Sequence, residues 1–171
     1  VEYLSQYEGP AYLRLTRQPV EDIHNPAGPG ATPDYRFQAG KADVLRPGCD
    51  VMLMASGATV AESLKAAKLL EKVNIDAGVV NISSIKPIDK EFLRDVNRRC
   101  KRVVTIEDHN TVGGLAGAVS EVLMETGGVS LLRLGVSEAF GESGTQKELY
   151  RHFGIDGVSI AEKVIRWLDK A

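Results

Sequence analysis

Along most of the chain, short apolar runs alternate with stretches whose apolar residues recur every three or four positions. The first pattern suits a strand buried on both faces, the second a helix with one face turned inward. Asp50-Val-Met-Leu-Met-Ala55 is the clearest buried strand, and Ala77–Ile82, Arg102–Ile106 and Ser130–Val136 follow it. Lys41–Leu45 is a further candidate, separated from the first by only the turn Arg46-Pro-Gly48. Helices are predicted in between. Val60, Leu64, Ala67 and Leu70 form one stripe, and Thr59 with Glu62 reads as a capping box at its start. Pro87 and Asp89 open a second helix, with Ile88 and Leu93 spaced to pack across the Asp89 cap. Leu115, Val119, Val122 and Leu123 mark a third, bounded by Gly113-Gly114 and Gly127-Gly128. Thr145–Phe153 carries the cap pair Thr145 and Glu148 and stops at Gly154. Ser159 and Glu162 read as the same device for the last helix, whose Ile160, Val164 and Leu168 face inward beside Trp167.

Strand and helix in this order predict an α/β fold, a three-layer α/β/α sandwich around a mixed five-stranded sheet. A Pro-Gly turn is too short for a parallel crossover, so the first strand is expected at an edge, antiparallel to its neighbour. Residues 1–35 differ from the rest, holding five of the seven prolines. His24–Asp34 reads as a Pro/Gly linker that can hold neither a helix nor a central strand. Before it, Ala11–Thr16 alternates like a short strand with no sheet of its own. The expected organisation is a tail of a preceding domain plus linker over 1–35, then one folded domain over 36–171. The start at Val1, with neither methionine nor signal peptide, fits a fragment as well as a processed chain.

Composition narrows the class. With 171 residues, 43% hydrophobic and 26% charged, a net charge of -2 excludes a disordered tail and a strongly basic nucleic-acid binder. Arg98-Arg99-Cys100-Lys101-Arg102 is the densest basic cluster, and a solvated turn accounts for it. No apolar run is long enough to span a bilayer. Two cysteines, Cys49 and Cys100, are too few for a disulfide framework and favour a reduced, cytoplasmic setting.

The chemical motifs are individually weak. Ser56-Gly57-Ala58 follows a strand and opens a helix, where amides can hold an anion, but it lacks the spacing of either phosphate-loop fingerprint. Gly141-Glu-Ser-Gly144 imitates a nucleophile elbow with Thr145 in place of its last glycine. His24, His109 and His152 are scattered, and the cysteines form no close pair, so no metal site is expected. Glu107-Asp-His109 ends a strand where open α/β sheets place functional groups, which makes His109 a candidate for an interface or cleft edge. Arg14 and Arg17 lie at the end of the tail strand, and an arginine there can grip phosphate with two parallel hydrogen bonds.

Taken in order, these blocks resemble the transketolases. The resemblance rests on Gly9-Pro-Ala-Tyr-Leu-Arg-Leu-Thr-Arg-Gln18, Gly40-Lys41, Asn81–Asp89, Val104–His109, Gly113-Gly-Leu-Ala-Gly117 and Phe140-Gly-Glu-Ser-Gly144. It covers nearly the whole chain and implies the C-terminal third of a thiamine-diphosphate enzyme, preceded by the end of its pyrimidine-binding domain. Deoxyxylulose-phosphate synthase and the beta subunits of 2-oxoacid dehydrogenases are similar. Glu107-Asp-His109 and Thr16-Arg17-Gln18 favour transketolase over them. A non-catalytic regulatory or structural domain is the remaining alternative.

The resemblance implies transfer of a two-carbon ketol unit between sugar phosphates, as in the pentose phosphate pathway. It implies thiamine diphosphate and Mg²⁺ in the complete enzyme, but none on this part. Those groups belong to N-terminal cofactor-binding domains or a separate subunit, and the complete enzyme is expected to be a homodimer. One residue carries over: Arg17 resembles the family arginine that binds the substrate phosphate. No catalytic or cofactor-binding residue transfers to Glu107 or His109. The chain alone is expected to be inactive.

Overall fold

The computed structural model describes residues 1–24 and 35–170, so the predicted linker, apart from His24, lies outside the described residues. Five strands form one sheet: β1 (Asp43–Arg46), β2 (Val51–Ala55), β3 (Ala77–Asn81), β4 (Arg102–Asn110) and β5 (Ser130–Val136). Their spatial order is β1-β3-β2-β4-β5. β1 runs antiparallel to β3, and every other pairing is parallel.

The helices are α1 (Glu2–Gln6), α2 (Thr59–Glu71), α3 (Lys90–Arg99), α4 (Leu115–Met124), α5 (Gln146–Phe153) and α6 (Gly157–Leu168). Alternation along β2 divides the core. Val51, Leu53 and Ala55 join α2 and α6 residues on one face, including Leu70, Ile160 and Val164. Met52 and Met54 point to the other, against Leu93 and Val96 of α3 and Leu115 and Val119 of α4. The layering follows from chain direction. From β2 to β3 the path steps one way across the sheet, then from β3 to β4 it steps back over β2. With right-handed crossovers, that reversal sends α2 to one face and α3 and α4 to the other.

Capping departs from the sequence expectation in two places. Thr59 is the first residue of α2, and its hydroxyl donates to the carbonyls of Ser56 and Ile106. Glu62 instead accepts from the amide of Gly157 at 2.7 Å, joining α2 to the start of α6. That contact is between segments distant in sequence, which the local box motif does not register. In α6 the cap is Asp156, accepting from the Ser159 amide, so the helix starts before Ser159. The other two caps form as expected: Asp89 accepts from Phe92, and Thr145 and Glu148 make a reciprocal box. Gly154 ends α5 at φ 67°, a left-handed conformation costly for any side chain with a Cβ.

The N-terminal segment is built differently. α1, which no apolar periodicity signals, buries none of its residues. The strand expected over Ala11–Thr16 does not form: the segment runs without a ladder, since alternation alone does not pair its amides. Tyr3 meets Phe37 edge to face, with ring centroids 5.7 Å apart.

Candidate functional site

β4 outruns β2 and bulges against β5, where Asn110 pairs with Val136. Beyond Ile106, the last residue paired with β2, it continues through Glu107, Asp108 and His109 to Asn110. Successive side chains on a strand point to opposite faces, so these three polar residues separate. They do not converge.

Glu107 turns inward and is only 2% exposed. Its carboxylate accepts from the amides of Leu115 at 2.7 Å and Ala116 at 2.9 Å. It therefore caps α4 from another element, placing negative charge at the helix's positive end. Gly114 makes this possible, since a Cβ there would overlap the Glu107 carboxylate. His109 shares this side of β4: its Nδ1 lies 3.9 Å from Glu107 and 2.9 Å from the Asn110 carbonyl oxygen. It is about half exposed, at 49% of its side chain.

Asp108 points the other way. Its carboxylate accepts from the Tyr150 hydroxyl at 3.1 Å, and its carbonyl accepts from Arg14 at 2.9 Å. Burial pushes the Tyr150 phenol up to about 12; the nearby Asp108 charge adds to the rise, and a hydrogen bond with Gln146 opposes it. Tyr150 is consequently a neutral donor at any physiological pH.

Around this pair opens a cleft of about 210 Å³, lined by Thr16, Gln18, Asp108, Gln146, Tyr150 and Phe153 among others. It joins the N-terminal arm, the polar end of β4 and one face of α5. Arg17 is exposed between two of its lining residues. The polar lining of the cleft is one carboxylate, two side-chain amides and two hydroxyls, beside the apolar Leu149 and Phe153. Sequence reasoning singles out Arg17 and His109 but not Asp108, Tyr150 and Gln146. The polar ending of β4 and the cap of α5 are visible as separate motifs; their meeting is not.

The remaining candidates stay apart. His24 pairs with Asp43, while His152 packs against Phe153 on α5. Cys49 is exposed and Cys100 buried, both as free thiols. Gly141–Gly144 lies in an exposed connection that ends in the Thr145 cap, not at a strand end. Ser56-Gly57-Ala58 does open a helix, but the Ser56 amide is spent on the Ile106 carbonyl. Among the described residues, no three His, Cys, Asp or Glu side chains converge as metal ligands.

The comparisons with known proteins agree with this architecture. The family model "Transketolase, C-terminal domain" matches residues 40–160. The "Putative transketolase C-terminal section" of Methanocaldococcus jannaschii is 36% identical over 99% of this chain and 52% of its own length. An apulose-4-phosphate transketolase subunit of Actinobacillus succinogenes is 38% identical over 95% of this chain and 50% of its own. The "1-deoxy-D-xylulose-5-phosphate synthase" of Thermomicrobium roseum is 36% identical over 96% of this chain and 26% of its own. Among solved structures, "Split gene transketolase, inactive beta4 tetramer" superposes with a TM-score of 0.88 at 38% identity, covering 98% of this chain and 53% of that one. The chain spans about half the length of the first two curated relatives. A family match over most of the folded domain, together with close superposition on a transketolase of known structure, leaves one assignment: the chain belongs to the transketolase family and carries its C-terminal domain.

Proposed function

We propose that this chain is the C-terminal part of a thiamine-diphosphate-dependent transketolase, working with an N-terminal cofactor-binding half. The carrying observation is the match over nearly all of this chain to about half of relatives described as a transketolase section or subunit. The complete enzyme would be a cytoplasmic homodimer that moves a two-carbon ketol unit between sugar phosphates. Bond cleavage belongs to the cofactor-bearing half. What this chain contributes is binding and packing.

Arg17 is the proposed phosphate anchor. Its neighbours Thr16 and Gln18 line the cleft with Asp108, which supports a phosphate site beside that cleft. His109, half exposed on the opposite side of β4, is the proposed contact with the neighbouring domain or subunit.

The test combines the chain with its N-terminal half and compares matched phosphorylated and unphosphorylated substrates. Arg17→Ala should lower kcat/KM for phosphorylated substrates by about ten- to a hundredfold, the loss of roughly 1.5–3 kcal/mol from a charge-assisted contact. Arg17→Lys should recover part of it, since an ammonium lacks the two-pronged fork. Equal losses on both substrates would refute phosphate recognition, and turnover by the 171-residue chain alone would refute the division of labour. A second reading rests on the synthase relative. It predicts that the assembled enzyme releases a deoxy sugar phosphate instead of exchanging ketol units.

A further inference from the structure

The arm that carries Arg17 has no strand partner, yet polar contacts fasten it on both sides of that residue. Three positions before it, the Arg14 guanidinium donates to the Asp108 carbonyl at 2.9 Å. Four positions after it, Glu21 meets Lys65 of α2 at 2.6 Å. Lys65 also meets Glu62 at 2.9 Å, and Glu62 is itself held by the Gly157 amide. Seven positions after Arg17, His24 Nε2 lies 2.7 Å from Asp43 on the edge strand β1.

These fastenings are unequal. Glu21 and Lys65 are 66% and 45% exposed, where water and salt weaken an ion pair to little net value. His24 and Asp43 are only 20% and 13% exposed. The His24 ring also lies flat on Tyr35, with centroids 3.6 Å apart and planes 9° from parallel. Beside them, Ile23 packs against the core cluster on the α2–α6 face. Burial, a hydrogen bond and a ring stack therefore coincide at one point of the arm.

We propose that His24, Asp43 and Tyr35 form a clasp that positions the Arg17 arm on the domain, with Arg14 and Glu21 as weaker fastenings. His24, Asp43 and Tyr35 are positioning residues: they hold the backbone from which Arg17 projects and touch no substrate. By fixing the arm to β1, the clasp keeps Thr16 and Gln18 in the wall of the cleft opposite α5. Its catalytic consequence rests on the phosphate role proposed above for Arg17, whereas its mechanical consequence does not.

The experiment has two readouts chosen to separate these. The rate of trypsin cleavage after Arg14 and Arg17 measures how firmly the arm is held in the full chain. KM and kcat for phosphorylated substrate are then measured in the enzyme assembled with its N-terminal half. His24→Ala and Asp43→Ala should speed cleavage about tenfold and raise KM severalfold with little change in kcat. Neither should raise KM further in an Arg17→Ala background. Tyr35→Phe, which keeps the stacked ring, should stay within about twofold of the parent in cleavage rate, while Tyr35→Ala should not. Unchanged protection of the arm in His24→Ala and Asp43→Ala overturns the clasp, whatever Arg17 does. A loosened arm with unaltered KM, in an enzyme where Arg17→Ala does raise KM, overturns the positioning role. If Arg17→Ala itself has no phosphate-selective effect while the arm loosens, the phosphate reading fails and the clasp stands. Thermal melts confirm that each variant remains folded.

Discussion

The β2 strand and the Ala11–Thr16 segment both carry the sequence pattern of a strand, and they have opposite fates. All five residues of β2 are buried, with parallel partners on both sides. Ala11–Thr16 has no ladder, and Tyr12 and Leu15 are 89% and 73% exposed. The difference lies in what surrounds each segment. A strand gains its stability from neighbours that pair its amides and cover its side chains, and alternation by itself supplies neither. The domain is held by apolar burial, the arm by a few contacts at intervals, most of them polar.

The largest effects should separate the two regions directly. Leu53→Ala, at a fully buried position of β2, should cost about 2–5 kcal/mol in chemical denaturation. Leu15→Ala should stay within about 0.5 kcal/mol. Comparable losses at both positions would mean that the arm is part of the cooperative core. The same comparison predicts stronger hydrogen-exchange protection for residues 51–55 than for 11–16.

Next comes the buried carboxylate at the end of β4. Glu107→Ala leaves the Leu115 and Ala116 amides without their acceptor, at a cost of about 3 kcal/mol. For a chain of this size that is a Tm fall of about 6–12 °C. A fall of less than about 2 °C would show that water replaces the cap and that Glu107 does not organise the Gly113-Gly114 turn.

The smallest effect joins the two regions at Tyr150. Its folded pKa of about 12 lies above the ordinary 10.0, so the fold favours the neutral phenol. That contribution is complete below pH 10 and is lost as pH rises toward 12. Tyr150→Phe should lower stability by about 1 kcal/mol at neutral pH and flatten the decline between those limits. An unchanged slope in the variant would place the alkaline titration elsewhere.

Much of the domain is legible in the sequence because its signals are local. Five strands, the antiparallel edge and the caps at Asp89 and Thr145 each follow from a few adjacent residues. The departures share one cause. Thr59 and Glu62 have the spacing of a capping box, yet distant partners at Ile106 and Gly157 claim both side chains. Ser159 is preceded by a better cap, Asp156, which the apolar pattern starting at Ile160 does not require. The last four residues of β4 are polar, so a hydrophobic criterion ends that strand at Ile106. Arg17 stands out by resemblance to a family motif, whereas the Asp108–Tyr150 pair depends on residues 42 positions apart meeting in space. No sequence window holds both.

The edge strand β1 has a bearing on solubility. A sheet border offers unpaired amides and carbonyls to any passing chain, and a long regular border invites stacking into fibres. Here one border is four residues long, and its register slips between Val44 and Arg46, so a second copy finds no straight template. The opposite border, β5, carries exposed Arg133 in mid-strand, and two such borders laid together would oppose like charges. Both sides of the sheet are thus ill suited to growth by edge-to-edge addition.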